Sequence, residues 1–315
     1  MATSQRKVVV ITGATAGVGR AIAEAFARRG WRVALLARDP DALEATRAQI
    51  GALGGEAFAA SVDVADANAV FDAAKQIVRR WTTIDVWINN AMATIFAPVE
   101  AIEPEEYARV TAVTYLGTVH GTLAALRHMQ PRGTGTIVQI GSALSYRAIP
   151  LQSAYCAAKF AVRGFTDALR SELIHNRSQI RLSMVQLPAV NTPQFEWARS
   201  RMPHRVQPVP PIHTPEAIAE VILRSIDRMP RELWVGTPTL KAIIGNMVAP
   251  GLLDRLMARK AWDGQMTNEP ESAHADALFE PVKQLHRIDG RFSDRAQTHV
   301  SGFDASHLRM VVALV

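Results

Sequence analysis

The sequence has a single cysteine, Cys156, among its 315 residues, and it has no long apolar run. One cysteine cannot form an internal disulfide, so a reducing compartment and a cytoplasmic location are expected. The lack of 18 consecutive apolar residues argues against a membrane-spanning helix. The N-terminal stretch MATSQRKVVVITG also lacks the apolar core and the small-residue cleavage site of a signal peptide.

Two further absences narrow the class of protein. The histidines between His213 and His299 lack metal-ligand spacing, so no metal site is predicted and these side chains are expected to face solvent. The formal charge is +6, but Lys and Arg are scattered and no dense basic run interleaves with aromatic residues. Nucleic-acid binding is therefore not predicted, and the mildly cationic surface instead suits a polyanionic cofactor.

What the chain does have is a hydrophobic content of 48%, enough for one large α/β core. Short apolar runs alternate with segments of helical period over the first 140 residues, which predicts a doubly wound parallel sheet with helices on both faces. We assign residues 1–236 to this domain and 237–315 to a C-terminal extension. The predicted strands are 7–12, 31–37, 56–62, 84–88, 136–140, 180–186 and 232–235, the last of the sheet.

A glycine-rich turn, TGATAGVG over residues 12–19, separates the first strand from the first helix. Glycines let the backbone approach a pyrophosphate, and the N-terminus of the following helix favours negative charge. The alternative is a tight structural turn. Because no Gly-Lys-Ser/Thr occurs here, a Walker-type phosphate loop is excluded, and we predict a dinucleotide site.

Arg38 follows the second predicted strand, about 20 residues after the glycine turn. An acidic residue at this place binds the ribose 2′-hydroxyl of NAD, whereas a basic one suits the 2′-phosphate of NADP. Arg38 therefore predicts NADP(H). The adjacent Asp39 leaves NAD open as an alternative, and a solvated loop charge is the other interpretation of Arg38.

Ser142, Tyr155 and Lys159 carry the chemistry that the sequence suggests. Ser142 follows a predicted buried strand, and the four-residue spacing of Tyr155 and Lys159 puts both on one helix face. A lysine ammonium one turn away favours the phenolate, so we expect it to lower the tyrosine pKa. Such a tyrosine can exchange a proton with a carbonyl or alcohol oxygen, which a serine hydroxyl can hold in place.

Taken together, these motifs resemble the short-chain dehydrogenase/reductase family over about residues 5–236. The resemblance rests on an ordered set, each motif in the expected element: Thr12-Gly13 with Gly17-Val18-Gly19, Asp63, Asn89-Asn90-Ala91, Ser142, Tyr155 with Lys159, and Pro188 to Thr192. It implies a Rossmann-like fold, an NADP(H)-dependent oxidoreductase that interconverts a carbonyl and an alcohol, and transfer of the B-face hydride.

The resemblance also implies a role for each matched residue. Tyr155 would be the acid/base and Ser142 would orient the substrate oxygen, while Lys159 would assist Tyr155 and hold the nicotinamide ribose. Asp63 and Val64 would meet the adenine. The complete set of implied cofactor contacts is Gly13, Thr15, Gly17, Val18, Gly19, Arg38, Asp63, Val64, Asn90 (ribose), Tyr155, Lys159, Val190 and Thr192 (carboxamide).

Three positions depart from the family pattern. Met92 stands where the family has glycine after Asn-Asn-Ala, and Ala189 stands where it has glycine after Pro188. Thr114 occupies the place of the fourth catalytic residue, an asparagine that supports a water leading to the lysine. We expect the Thr114 hydroxyl to take over this role. If catalysis has been lost, the alternative is a dinucleotide-binding sensor or scaffold.

The substrate is expected to be a small-molecule carbonyl or alcohol, and the mostly apolar predicted walls suggest a bulky hydrophobic ketone or aldehyde. These walls are Met92, Ile95, Phe96, Ala143, Leu144, Tyr146, Ile149, Phe195 and Trp197. A Pro- and Arg-rich segment, 193–215, is predicted to be a mobile flap beside the cleft.

A homodimer or homotetramer is predicted from the apolar positions of two long helices, at 104–129 and around Tyr155. These positions are Ala112, Tyr115, Leu116, Val119, Leu123 and Leu126 on the first helix, Ala158, Val162, Phe165 and Leu169 on the second, and the small residues Gly117, Gly121, Ala161 and Gly164. One apolar stripe can be buried against the sheet, and a second needs a partner subunit.

The C-terminal extension is expected to have two parts. Residues 240–257 form an apolar, interrupted helical stretch for which we predict packing against the body or a partner subunit. The alternatives are a hydrophobic lid or a weak membrane-surface contact. Residues 268–315 are polar and show little periodicity, which predicts a loosely ordered tail.

Overall fold

The computed structural model describes residues 6–306, and at its centre is an eight-stranded sheet. Its strands are β1 (Val8–Thr12), β2 (Arg32–Ala37), β3 (Glu56–Ser61), β4 (Val86–Asn89), β5 (Thr136–Ser142), β6 (Arg181–Leu187), β7 (Glu232–Val235) and β8 (Gly302–Asp304). The spatial order is β8-β7-β6-β5-β4-β1-β2-β3. The predicted doubly wound parallel sheet is confirmed, since β1 to β7 are all parallel.

The prediction that residues 232–235 form the last strand is wrong. The strand β8 comes from the C-terminal extension and pairs antiparallel with β7 at the edge of the sheet. Only three residues pair, Gly302 to Asp304, so the strand is too short to show a period-2 pattern in the sequence. The extension therefore contributes to the central sheet, and the domain boundary near residue 236 stays a prediction.

Helices cover both faces of the sheet and bury two separate apolar cores. The helices are α1 (Gly17–Arg28), α2 (Pro40–Ala52), α3 (Ala67–Trp81), α4 (Pro104–Thr111), α5 (Gly117–Met129), α6 (Ser153–His175), α7 (Pro215–Ser225), α8 (Thr237–Val248) and α9 (Pro250–Leu256). One core joins the sheet to α3, α4, α5 and α6, and the other joins it to α1, α2 and α7. This layering follows from the alternation of buried strands with amphipathic helices.

Side-chain caps set where several helices begin. Asp39 accepts hydrogen bonds from the backbone N–H groups of Asp41 and Ala42 at the start of α2. Asp66 caps α3 in the same way. Such caps satisfy N–H groups that have no partner within the helix, so both aspartates belong to the helix framework.

The helix predicted over residues 104–129 consists of two helices joined by one π-helical turn. The helix α4 ends at Thr111, the π turn spans Ala112–Leu116, and α5 begins at Gly117. A π turn inserts one extra residue per turn and commonly lies at functional sites. Here it carries Thr114.

Part of the predicted subunit-contact surface belongs to the protomer's own core. Leu126, Ala158, Val162 and Leu169 are buried within the chain. The glycines of α5 also allow close packing within the chain, because a Cβ at Gly117 would lie 2.6 Å from Val64 Cγ2. What stays exposed is a narrower apolar face of α5 and α6. It comprises Leu116, the last residue of the π turn before α5, Leu123 on α5 and Phe160 on α6, and the Gly164 position on α6 is open.

The segment 193–215 was expected to be a mobile flap, and the structure ties it to the body. Glu106 on α4 accepts hydrogen bonds from Arg199 and Arg201 at 2.7–2.8 Å. Burial opposes ionisation of Glu106, but the two guanidinium groups hold its pKa at about 2. Short pairings add to this anchor: residues 95–96 with 199–200, 204–206 with 266–270, and 212–213 with 189–190 and 296–297.

The expectation of a loosely ordered tail is wrong for residues 268–306. Leu278, Phe292 and Ala305 are buried, although little of this segment is helix or strand. Its order comes from separate contacts with many parts of the body, which leave no periodic signature in the sequence. The rest of the predicted tail, 307–315, lies outside the described residues. His213 is also buried, contrary to the expectation that these histidines face solvent.

The packing predicted for residues 240–257 is found for one face of the helices α8 and α9. Ile243 is buried against Tyr146 and Trp234, with Leu240 and Ile244 packed beside them. The opposite face, which includes Met247, Val248 and Leu252, is exposed. No helix within residues 6–306 is both long and apolar enough to cross a membrane.

We predict that Gly121→Ala destabilises the fold by more than about 2 kcal/mol through overpacking. A Cβ at this position would lie 2.0 Å from Asn89 Oδ1 and 2.7 Å from Trp87 Nε1. The control is Gly51→Ala in α2, where no atom lies within 4 Å and alanine is expected to stabilise slightly. Urea unfolding of both variants checks this, and equal midpoints would contradict the packing argument.

Candidate active site

The candidate site begins where the strand order reverses, between the carboxyl ends of β1 and β4. The Thr12 hydroxyl accepts hydrogen bonds from the backbone N–H groups of Asn90 (2.9 Å) and Ala91 (3.1 Å). The Asn90 side-chain amide donates in return to the carbonyl oxygens of Thr12 and Gly13. The two loops are thus locked together at the place where open α/β sheets bind ligands.

The glycines of the turn are required by this geometry. Gly13 (φ +66°) and Gly17 (φ +53°) have left-handed backbones, which glycine adopts at no steric cost. A Cβ at Gly19 would lie 2.1 Å from the Gly13 carbonyl oxygen and 2.5 Å from Asn90 Nδ2. The turn therefore brings its backbone and the N-terminus of α1 to the cleft without intervening side chains, which is the arrangement that fits a pyrophosphate.

Arg38 and Asp39 have separate environments at the end of β2. The Asp39 carboxylate is buried, and its Oδ1 caps α2. Its Oδ2 lies 3.2 Å from His286 Nε2, but that nitrogen has its hydrogen bond with the Val282 carbonyl oxygen, so Oδ2 has no hydrogen-bond partner among the described residues. Arg38 lines the cleft and donates to the carbonyl oxygens of Ala277 (2.6 Å) and Phe279 (2.7 Å). A guanidinium has five N–H donors, so these two bonds leave others for an anion.

Residues 276–292, here called the C-terminal strap, cross the whole groove. The strap meets Arg38 at one end, accepts a hydrogen bond from the Gly17 N–H at the Arg287 carbonyl (2.9 Å), and reaches Asn191 through the Gly290 N–H. No sequence pattern indicates this role, because most of the contacts use the backbone of the strap. The strap residues that line the cleft are Ala277, Leu278, Pro281, Val282 and His286.

The predicted adenine end lies under the same strap. Asp63 accepts a 2.6 Å hydrogen bond from Arg109, which also donates to the Leu278 carbonyl oxygen. Burial opposes ionisation of Asp63, but hydrogen bonds from Ala65 N–H and Arg109 leave its pKa below the usual value. Leu278 packs in the same core as Val64. The strap thereby closes a largely apolar slot beside Arg38.

Ser142, Tyr155 and Lys159 meet at the bottom of the cleft, where β5 ends and α6 begins. Lys159 is buried and donates a 2.6 Å hydrogen bond to the carbonyl oxygen of Ile140. The Tyr155 hydroxyl hydrogen-bonds with the Ser142 hydroxyl, which also accepts from the Leu144 N–H. Lys159 Nζ lies 5.6 Å from the centre of the Tyr155 ring.

The titration of this cluster differs from the sequence prediction. Burial raises the pKa of Tyr155 above its ordinary value, and the hydrogen bond with Ser142 only partly opposes this rise. Burial also lowers the pKa of Lys159 to about 8. The direction is opposite to the lowering expected from Lys159, because loss of hydration disfavours the charged phenolate. Tyr155 is protonated at neutral pH and can donate its proton.

Thr114 has a structural role in the described contacts. Its hydroxyl accepts from the Ala93 N–H (3.0 Å) and donates to the Ala93 carbonyl oxygen (3.1 Å). A hydroxyl has one proton, and this one is used. Thr114 is fully buried and does not line the cleft, so it fixes the loop after β4, and its part in a proton relay stays a prediction.

The predicted substrate walls are partly correct. Three residues lie elsewhere: Ile95 and Phe96 are fully buried, and the Tyr146 hydroxyl donates to the buried Glu232 carboxylate. The predicted walls that do line the cleft are Met92, Ala143, Leu144, Ile149, Phe195 and Trp197. Met92 has no left-handed backbone, so its side chain is accommodated without strain in place of the family's glycine.

One continuous cleft contains almost every residue that the sequence singled out. The predicted residues on its wall are Gly13, Thr15, Gly17, Val18, Gly19, Arg38, Asp63, Val64, Asn90, Ser142, Tyr155, Lys159, Val190 and Thr192. A glycine cradle at a helix N-terminus, a cation at the end of β2 and a closed apolar slot match the shape and charge of a nicotinamide dinucleotide. This fold and this cleft define a dinucleotide-binding oxidoreductase.

Comparison with known proteins identifies the family. The model of the short chain dehydrogenase family matches residues 7–202, and the chain belongs to that family. The Bacillus subtilis uncharacterized oxidoreductase YxnA is 29% identical over 285 residues, which covers 89% of this chain and 80% of that protein.

Two solved structures show that the fold accepts both nicotinamide cofactors. The alcohol dehydrogenase from the archaeon Thermococcus sibiricus, complexed with 5-hydroxy-NADP, is 29% identical with a TM-score of 0.60. The match covers 73% of this chain and 95% of the alcohol dehydrogenase chain. An NAD⁺-bound xylitol dehydrogenase is also 29% identical, with a TM-score of 0.56. The match covers 60% of this chain and 72% of the xylitol dehydrogenase chain.

We predict that Lys159→Met stabilises the fold at pH 7, by about 2 kcal/mol, and does so less at pH 9.5. The pKa of Lys159 is depressed on folding, so the unfolded chain binds more protons between about pH 8 and 10.5. The buried ammonium therefore lowers the free energy of unfolding most below pH 8, and this destabilisation decreases as the pH rises above 8. Urea unfolding at both pH values checks this, with exposed Lys75→Met as the control. A gain that does not change with pH would contradict it.

Proposed function

We propose that this protein is an NADP(H)-dependent oxidoreductase that interconverts a carbonyl and an alcohol. The observation that carries the proposal is the position of the Ser142, Tyr155 and Lys159 cluster. It lies where a groove suited to a dinucleotide meets an apolar cleft. A substrate carbonyl beside this cluster would be next to a proton donor and a hydrogen-bond donor at once.

In the reducing direction, the bound cofactor would supply a hydride to the carbonyl carbon. Tyr155 gives its hydroxyl proton to the carbonyl oxygen, so hydride and proton together convert the carbonyl to the alcohol. Ser142 holds that oxygen by a hydrogen bond. The buried Lys159 ammonium stabilises the phenolate left on Tyr155 until a proton returns, which is where its charge assists the reaction.

The choice of NADP(H) rests on the different tasks of Arg38 and Asp39. Asp39, which could accept a ribose 2′-hydroxyl, already caps α2 and adjoins His286. Arg38 faces the cleft with donors to spare and suits a 2′-phosphate. The Thermococcus sibiricus relative holds 5-hydroxy-NADP and the xylitol dehydrogenase holds NAD⁺, so the choice rests on Arg38 of this chain.

The substrate proposed here is an apolar aldehyde or ketone. The cleft beyond Tyr155 is lined mainly by hydrophobic side chains: Met92, Leu144, Ile149, Phe195, Val209, Pro210, Leu256 and Met257. The second candidate is a dinucleotide-binding sensor or scaffold, which the displacement of Thr114 from the cleft favours. Turnover with a panel of apolar carbonyl compounds separates the two.

We predict that Tyr155→Phe lowers turnover by about 10²–10⁴-fold, because general acid catalysis has this magnitude. NADPH affinity should stay the same, since the ring and its packing are kept. Steady-state rates with the best substrate of the panel and fluorescence titration of NADPH measure the two effects. Turnover within about threefold of the parent would reject Tyr155 as the proton donor.

We predict that Arg38→Ala weakens NADPH binding by about tenfold or more, since a charge-assisted bond contributes roughly 1.5–3 kcal/mol. NADH affinity should change little, and it serves as the internal control. Fluorescence titration of both cofactors checks this. An equal loss for both would show that Arg38 acts only by tethering the strap, and a parent that prefers NADH would overturn the cofactor assignment.

We propose that the chain is a homo-oligomer through the exposed apolar face of α5 and α6. Leu116, Leu123 and Phe160 are each exposed there, beside the open surface of Gly164. Light scattering should give a mass of at least twice 34.4 kDa at micromolar concentration. Leu123→Glu should lower that mass by placing a charge in the contact. A monomeric parent would refute the interface.

A further inference from the structure

The helices α8 and α9 expose an unusual number of large apolar side chains. Val248 is 74% exposed, Leu252 is 68% and Met247 is 57%, and Leu256 and Trp262 follow on the next turns. These five side chains, here called the apolar ridge, lie within 16 consecutive residues. Within residues 6–306 eleven large hydrophobic side chains are exposed, so almost half of them belong to this short segment.

The ridge has a regular position on its helices. Leu252 and Leu256 are four residues apart, so they lie on the same face one turn apart, and Val248 precedes them at the end of α8. The inward face is different, because Ile243 of α8 is buried against Tyr146 and Trp234, and Asp254 of α9 pairs with Arg147 of the body. The two helices are therefore held to the body on one side and are amphipathic toward the solvent.

Exposed cations surround the ridge, namely Lys241, Arg255, Arg259 and Lys260. None of the four has an ion-pair partner among residues 6–306. Two carboxylates, Asp254 and Asp263, lie nearby in the sequence. Asp254 is already paired with Arg147 at 2.7 Å. The face thus combines a hydrophobic centre with an uncompensated positive rim, which is the composition of an interfacial segment that binds anionic lipid.

Two other occupants fit this face less well. A second copy placed ridge against ridge would bring a second set of the same four cations, so it would not neutralise the rim. Residues 307–315, which lie outside the described residues, contain neither Asp nor Glu and cannot neutralise the rim with side chains. An anionic lipid surface can neutralise the positive rim with its headgroups and can bury the apolar side chains in its interior.

We propose that the apolar ridge docks onto the surface of an anionic phospholipid membrane. Leu256 belongs both to the ridge and to the wall of the cleft, and Lys260 lies at the same rim. Docking would therefore place the mouth of the cleft against the lipid. Such peripheral contact agrees with the expected cytoplasmic location, since the cytoplasmic leaflet is negatively charged. The docking does not depend on the proposed catalytic function.

The test is co-sedimentation of the full chain with vesicles of phosphatidylcholine alone and of phosphatidylcholine with phosphatidylserine. We expect binding to the anionic vesicles only, and weaker binding as the salt concentration rises. The double variant Val248→Ser with Leu252→Ser should lose about tenfold or more in affinity, as should Arg255→Glu with Arg259→Glu. The matched control is Ile174→Ser, because Ile174 is 71% exposed at the end of α6, outside the ridge.

Several results would overturn the proposal. Absence of binding to anionic vesicles is one, and equal binding by the ridge variants and the parent is another. A lower mass of the Val248→Ser, Leu252→Ser variant in light scattering without lipid would assign the ridge to a second copy. Binding that appears only after residues 307–315 are removed would assign it to that segment.

Discussion

A buried ammonium at the bottom of the cleft holds the candidate active site together. Lys159 on α6 donates to the Ile140 carbonyl oxygen near the end of β5, and this bond ties the helix to the strand. Tyr155, one turn earlier, is thereby held beside Ser142 at the strand end. Burying this cation lowers its pKa and costs stability. A residue that destabilises the fold and adjoins a protonated tyrosine is better explained by chemistry than by packing.

The second half of the site depends on close approach between backbones. Thr12 and Asn90 join the ends of β1 and β4, and the glycine turn brings its backbone to the cleft without intervening side chains. The C-terminal strap then closes the groove from residues far outside the matched family region, 7–202. The extension thus supplies a strand to the sheet, a wall to the cofactor groove and, as we propose, a face toward lipid.

Much of this arrangement could be predicted from the sequence, for reasons that are local. The glycine turn, Arg38 and the Tyr155–Lys159 spacing each express their geometry within a few residues, so they were placed in one cleft correctly. The features that were not predicted depend on partners that are distant in the sequence. The strap contacts Arg38 through backbone carbonyl groups, Thr114 is engaged by Ala93, and the pKa of Tyr155 follows burial by surroundings that no short motif describes.

The central claim is that the protein moves a hydride between a nicotinamide and a carbonyl carbon. The most direct measurement uses NADPH that carries deuterium on the transferable position of nicotinamide C4, incubated with apolar aldehydes and ketones. We expect an alcohol with one deuterium on the former carbonyl carbon, formed at the same rate as the cofactor is oxidised. Tight binding of NADPH with no deuterium in any alcohol would contradict it and would favour a sensor or scaffold.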